Sequence, residues 1–430
     1  MASGQHAVNA GFSYSRLNAS NSEIRLLSVD VLGQDGVPRC TLHTVSLRDL
    51  PGPYWALSYA WGLKGDSAET YNFLDGYGFK IRPNLHHFFR RFATPKHFGT
   101  HIFVDAVCID QCNVEERQVQ LGHMRRIYSG AELTIAWLGR KPDIEHAWKR
   151  NFQDDQVEAA QPFLAVLQGF WIRLWIVQEV ILSPKVSLRL GGQIFDIEEV
   201  YKTVNLNSGT ALRASSGFIE LMTTPDGQST LGIQNNASSW AAAFHENVIM
   251  DIRAASAVAV MGHRKRWQRR PVDAADPPLH KLIVDFGSQR TSMAHDKVFG
   301  LLGLARSRFQ VEYSMPVINF YAQILVEGLY EIAASCRARD EDEIDFSVLR
   351  NGKQVGSFVT TCHAMFGCVG ATCSLVEMRV LQHFGLIPQD SNLFMGILRC
   401  RLLDMAMLQD LKLWGSLRRA LMRYCVVIVT

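Results

Sequence analysis

Asp110, Gln111, Asn113, Glu115 and Glu116 cluster where the apolar segment 102–110 (IFVDAVCID) gives way to a helical pattern. In open α/β sheets ligands bind at the carboxyl ends of strands. Free backbone N–H groups at the start of the following helix would suit a phosphate. A carboxylate held there can stabilise an oxocarbenium-like centre during N-glycosidic cleavage, by analogy with the paired carboxylates of glycosidases. Glu116 is the candidate catalytic residue on this reading, with Asp110 beside it. Its spacing from Asn113 also fits a capping box, in which the carboxylate only closes the helix start.

Further side chains fall within reach of the same sheet edge. Tyr59 and Trp61 follow the segment 54–60 (YWALSYA), where a flat ring can stack on a nicotinamide or adenine ligand or simply fill the core. Gln111, Gln178 and Glu179 complete the candidate ligand-binding set. Trp171, Trp175 and Gln178 stand at helical spacing and read as a packing stripe, with Glu179 just off it. Asp105 shares one face of an extended strand with Phe103, Val107 and Ile109, and a carboxylate among apolar neighbours requires a partner. Arg117, on a helix stripe with Leu121, Met124 and Tyr128, is the expected cation, giving a structural charge pair.

Other chemistries lack their usual patterns. No Walker A, GxSxG or HExxH motif is present. Cys108 and Cys112 have no complementary pair, and Cys362, His363, Cys368 and Cys373 are irregularly spaced, so no metal site is expected. No resident cofactor is expected either. The basic run 263–270 (HRKRWQRR) reads as a solvated loop, with nuclear import or RNA contact as the alternative.

The elements that must position these residues follow from periodicity. Segments 24–32, 54–60, 102–110, 133–139 and 186–192 are rich in β-formers and bounded by turn residues. Leu85, Phe88, Phe89 and Phe92 follow Pro83 at helical spacing, and further helices are expected over about 113–128 and 162–182. Strands alternating with helices, and near-continuously apolar, predict an α/β fold: a parallel sheet covered by helices on both faces. Beyond about residue 205 small and polar residues predict a loop-rich insertion. Helical order is expected again at 279–289, 296–305 and after Pro316.

Composition bounds the rest. The chain has 430 residues, 47% of them hydrophobic, enough for more than one structural unit. Its 44 basic and 41 acidic residues leave +3, which points to neither nucleic acid nor an anionic membrane as the main partner. Nine cysteines without paired spacing read as reduced thiols. The first fifteen residues lack a signal-peptide pattern and no segment reaches the ~20 apolar residues of a membrane span, so a cytoplasmic location is expected.

Three blocks, in this order, resemble the fungal heterokaryon incompatibility (HET) family: Tyr54-Trp-Ala-Leu-Ser-Tyr-Ala-Trp-Gly62, Phe103-Val-Asp-Ala-Val-Cys-Ile-Asp-Gln111, and Phe170-Trp-Ile-Arg-Leu-Trp-Ile-Val-Gln-Glu179. Glu116, Arg117, Gln120, Met124, Tyr128 and Trp137-Leu-Gly139 also stand where members carry similar residues, and 296–305 resembles a downstream block of longer members. Phe103 departs from the usual tryptophan, and Ile172 from a usual phenylalanine. The resemblance implies a flexible N-terminus over 1–22, a HET domain over 23–200, an insertion over 201–278, a helical extension over 279–344 and a divergent tail over 345–430. It implies a TIR- or flavodoxin-like sheet and a mainly helical C-terminal region. It further implies a module that triggers programmed cell death on non-self recognition, through self-association or a protein partner. A TIR-like NAD (nucleotide) glycohydrolase is the alternative.

Overall fold

A computed structural model describes residues 11–61, 70–139, 169–206, 255–335 except 308 and 310, 353–366 and 380. The chain divides into two compact units, Met1–Ala274 and Ala275–Thr430.

The first unit holds a nine-stranded mixed sheet. Its strands are β1 (Glu23–Leu32), β2 (Pro38–Ser46), β3 (Trp55–Tyr59), β4 (Thr70–Leu74), β5 (Tyr77–Ile81), β6 (His101–Phe103), β7 (Leu133–Gly139), β8 (Val186–Leu190) and β9 (Gln193–Asp196). They lie side by side in the order β5-β4-β2-β1-β6-β3-β7-β8-β9. The central run β6-β3-β7-β8 is parallel. On the flanks the β1–β2, β1–β6, β4–β5 and β8–β9 pairs are antiparallel, so the α/β architecture stands while the sheet is mixed. Short connections decide this for β1–β2, β4–β5 and β8–β9, because parallel neighbours need a long crossover, whereas β2 and β4 pair in parallel. Asp75 and Gly76, for example, both take positive φ between β4 and β5, as a tight hairpin turn requires.

Within the parallel run the first strand in sequence, β3, sits between the second and the third. Chain direction across the sheet therefore reverses between β3 and β7, the arrangement that in doubly wound sheets opens a crevice at the carboxyl edge.

Helices cover both faces. In α1 (Pro83–Phe92) the expected stripe Leu85, Phe88, Phe89 and Phe92 is buried, and Phe92 and Phe88 meet Trp55 and Trp137 at centroid distances of 6.0 and 5.8 Å. Ser58 and Thr134, on the opposite face, bond to Glu179 and Ser183 at the helix α4 (Ile176–Leu182). Helix α3 (Val114–Gly130) packs against α4.

Two expectations about the second block change. The strand ends at Phe103, and residues from Asp105 to Cys108 form a one-turn helix, α2, whose N–H groups bond back to Val104 and Asp105 carbonyls. Asp105 therefore does not share a strand face with Val107 and Ile109. On α3 the buried stripe is Gln120, Met124, Ile127 and Tyr128, which leaves Arg117 at its edge and half-buried. The alternating apolar pattern of 102–110 fits a strand or a single helical turn equally well, and here local backbone bonding decides for the turn.

Two of the described residues ahead of β1 make contacts with the sheet unit. Phe12 packs edge-on against Phe79 at 5.3 Å, and Tyr14 donates its hydroxyl to Val107 O at 2.9 Å. Beyond β9 come α5 (Ile197–Leu206) and a helix α6 over 255–269 that contains the basic run expected to be a loop. Arg264 explains the difference: its buried guanidinium donates to the carbonyls of Val180, Ser183 and Pro184, capping the C-terminal end of α4.

In the second unit the described elements are helical: α7 (Leu279–Phe286), α8 (Asp296–Leu302), α9 (Val317–Ser335) and α10 (Lys353–Phe366). Glu331 accepts from the backbone N–H groups of Leu279 and His280, satisfying the start of α7. Most of the tail from 345, with Cys368 and Cys373, lies outside the described residues, as do 207–254 of the expected insertion and 162–168 of the expected helix. Among the described residues no helix is long and apolar enough to cross a membrane.

Candidate functional site

The polar residues of the three blocks separate into two networks. The first occupies the junction between β6 and α3. Asn113 caps α3 by accepting from Glu116 N at 3.1 Å, as its spacing predicts. The Glu116 carboxylate does not close the box on Asn113. It reaches further back, accepting from Asp110 N at 2.8 Å, and meets Arg25 with both oxygens, at 2.7 and 3.0 Å.

Arg25 was not among the residues singled out from sequence. It lies on β1 and is 2% exposed; it also donates to Cys108 O and Ser15 O, and stands 4.7 Å from the Tyr14 ring centroid. A lone arginine in the apolar run IRLLSVDVL was the available signal, since a guanidinium there needs an anion. Asp110 turns its carboxylate to Cys112 N at 3.0 Å, and Gln111 donates to Asp105 O at 2.8 Å. Each side chain of this junction thus serves local structure.

The second network lies at the carboxyl edge of β3 and β6. Trp61 Nε1 donates to Asp105 Oδ2 at 3.2 Å, and Ser58 Oγ donates to Glu179 Oε2 at 2.5 Å. Arg173 donates to Tyr59 O and is the cation whose field reaches both carboxyls. Asp105 therefore takes its compensating charge from Arg173 and not from Arg117. Arg173 was the residue missed here, although a carboxylate in the apolar second block demanded a cation and Arg173 stands inside the third block.

Two carboxyls lie in the field of one guanidinium, and the electrostatics follow. Burial pushes the Glu179 carboxyl up to about 7, the negative field of Asp105 adds to that, and Arg173 and the Ser58 hydrogen bond only partly offset it. Burial also raises Asp105, against Arg173, Ala106 N and Trp61. Glu179 thus sits close to its own titration point near neutral pH, while Asp105 is shifted in the same direction. Asp105, Trp61 and Arg173 are half-exposed, whereas Glu179 and Tyr59 are buried behind them. Arg82 flanks Trp61 at 5.3 Å from the ring.

At the reversal between β3 and β7, Asn84 bridges the two strands: it donates to Ala60 O at 2.6 Å and accepts from Trp137 Nε1 at 2.9 Å. Gln178 is buried, and no partner for its Nε2 is found among the described residues. Trp171 is buried in a 3-10 turn (Gly169–Ile172), so it does not share a helical stripe with Gln178. The sequence-selected residues thus fall into two groups: Glu116, Asp110 and Gln111 in the first network, Tyr59, Trp61, Asp105 and Glu179 in the second.

Residues 54–179 match the family described as heterokaryon incompatibility protein (HET). The heterokaryon incompatibility protein 6, OR allele, of Neurospora crassa is 31% identical over 142 residues, covering 29% of this chain and 19% of that protein. The similarity thus spans less than a fifth of the relative's length. No solved structure matches the chain. The match opens at Tyr54, just ahead of β3, and closes on Glu179, the buried carboxyl of the second network, so the similarity to the heterokaryon incompatibility (HET) family spans the segment that builds that network.

Proposed function

We propose that this chain is a heterokaryon-incompatibility-type signalling module that starts programmed cell death on non-self recognition. It acts in the cytoplasm, by associating with a second copy or with a partner protein. The observation that carries this reading is the two-pronged capture of Glu116 by buried Arg25. The carboxylate best suited by sequence to nucleotide chemistry is committed to joining β1 to α3, and Asp110 and Gln111 are likewise committed to backbone groups. The named role of the Neurospora relative supports the same reading. The test is overexpression of the full chain in a fungal host, with its association state followed by light scattering. Growth arrest that rises with self-association or with a co-expressed partner is expected. A chain that arrests growth while remaining an unaccompanied monomer would overturn the reading.

One observation favours a second reading, nucleotide glycohydrolase activity with NAD as the substrate. Asp105 and Glu179 are coupled carboxyls beside an indole at the carboxyl edge of parallel strands, where ligands bind in such sheets. An ionised carboxylate here would meet a developing oxocarbenium; nicotinamide leaves as a neutral base without needing a proton, and the carboxylate would take up the proton lost by the attacking water. Incubating the purified full chain with NAD and measuring free nicotinamide tests this. No release above the uncatalysed rate, from monomer or assembly, removes it.

A further inference from the structure

The basic run 263–270 is absorbed by neither reading, and α6 divides it into an inner and an outer part. Arg264 and Gln268, one turn apart, point inward to the carbonyls of Val180, Ile181, Ser183 and Pro184. Helical spacing then turns Arg266 and Arg269 to solvent, where both are exposed. Trp267 and Arg270 face α3: the Arg270 guanidinium lies 3.4 Å from the Trp267 ring centroid, and Arg125 of α3 approaches the same ring at 5.7 Å. Arg126, the next residue, is exposed. Two helices distant in sequence thus bring two guanidiniums, Arg125 and Arg270, to one indole, and the same two helices expose Arg126, Arg266 and Arg269, in a chain whose net charge is only +3. Glu198, from α5, lies 3.7 Å from the inward-facing Arg264.

We infer that this face binds single-stranded nucleic acid, with phosphates on Arg126, Arg266 and Arg269 and an unpaired base stacked on the plate formed by Arg270 and Trp267. Exposed guanidiniums supply the sequence-independent attraction to phosphates. The guanidinium–indole stack supplies a flat cationic surface, which an unstacked base can use and a duplex, whose bases are already stacked, cannot. An anionic membrane fits less well. An interfacial helix needs an apolar face beside its cations, whereas the apolar residues Ala257, Val260 and Met261 of α6 are buried within the unit.

The test uses the full chain with a fluorescein-labelled oligouridine of about 20 nucleotides, a duplex RNA of equal length and phosphatidylserine vesicles, at salt from about 50 to about 200 mM. The single strand should bind at least about tenfold more tightly than the duplex. Replacing both exposed arginines, Arg266→Ala with Arg269→Ala, should weaken binding about tenfold and lower the salt slope by about 1.4, at about 0.7 for each lost phosphate contact on a single strand. Trp267→Ala should weaken binding about tenfold with the slope unchanged, and Trp267→Phe should recover most of the loss. Melting curves establish which variants remain folded; if Trp267→Ala does not, the arginine pair and the phenylalanine variant decide. Absence of binding, equal affinity for duplex, insensitivity to the arginine pair, or a preference for vesicles over the oligonucleotide would each overturn the inference.

Discussion

Arg25 and Glu116 face each other through paired contacts, Nη1 to Oε1 at 2.7 Å and Nη2 to Oε2 at 3.0 Å, and tie the first strand of the sheet to the first turn of α3. The guanidinium is 2% exposed and the carboxylate 10%. Breaking a buried pair from one side costs more than the pair itself contributes, because the other charge is left without compensation.

Glu116→Gln should therefore destabilise the protein by about 3–5 kcal/mol. From sequence alone the same substitution reads as nearly neutral, since glutamine still completes a capping box. Chemical denaturation of the variant checks the difference. A midpoint within error of the wild type would mean that the bridge contributes nothing to the fold. Loss of biological activity in this variant is accordingly no measure of catalysis.

A second prediction concerns pH. The Glu179 carboxyl titrates near 7 in the folded protein, above the ordinary carboxylate value, so the folded state binds its proton more tightly than the unfolded chain does. The stabilisation is fully present below about pH 4.5 and is lost as pH rises through about 7. At about 1.4 kcal/mol per pH unit between the two values, the loss is on the order of 3 kcal/mol. Asp105, also raised by burial, contributes with the same sign. Thermal melts between about pH 4.5 and 8 should show this decline superimposed on the other titrations. Glu179→Gln, which still accepts from Ser58, should flatten it. A variant that kept the wild-type slope would show that Glu179 is not its source.

How much of this was legible in the sequence differs between backbone and charge. β3, β7 and α1 lie within a residue or so of their expected bounds, because both faces of those strands and one face of that helix are apolar and the period leaves no choice. The segment 102–110 misled, since a single helical turn imitates alternation over so few residues. Charge partners were the least legible. Asp105 and Arg173 are 68 positions apart and Arg25 and Glu116 are 91 apart, and no local period connects residues that meet only when strands from different parts of the chain are laid side by side.

The same distance effect makes α6 part of the first unit's stability. Arg264→Met keeps much of the side-chain volume but leaves the carbonyls of Val180 and Pro184 without this donor at the end of α4, while Ser183 O retains only Gln268. A cost of about 2–4 kcal/mol is expected from unsatisfied buried carbonyls. A fragment ending at residue 206 contains all of the family match yet lacks this cap, and should show broad, non-cooperative unfolding. A fragment ending at 274 should melt cooperatively. Equal cooperativity in the two fragments would show that α6 is dispensable.

The last prediction separates the two functional readings, and Glu179→Gln is the variant suited to it. Unlike Glu116→Gln it strands no buried guanidinium, because Arg173 retains Asp105, and it removes a carboxyl that burial already disfavours in its charged form. Stability at neutral pH should be equal to or above that of the wild type, so any biological loss is not a folding defect. What glutamine cannot do is accept the proton that an attacking water must lose. If death follows from glycohydrolase chemistry, the variant should accumulate to wild-type level in a fungal host, leave cellular NAD intact and cause no growth arrest. If death follows from assembly, the variant should arrest growth as the wild type does. Arrest with NAD undiminished would exclude catalysis at this carboxyl and leave the association surfaces of the domain as the source of the signal.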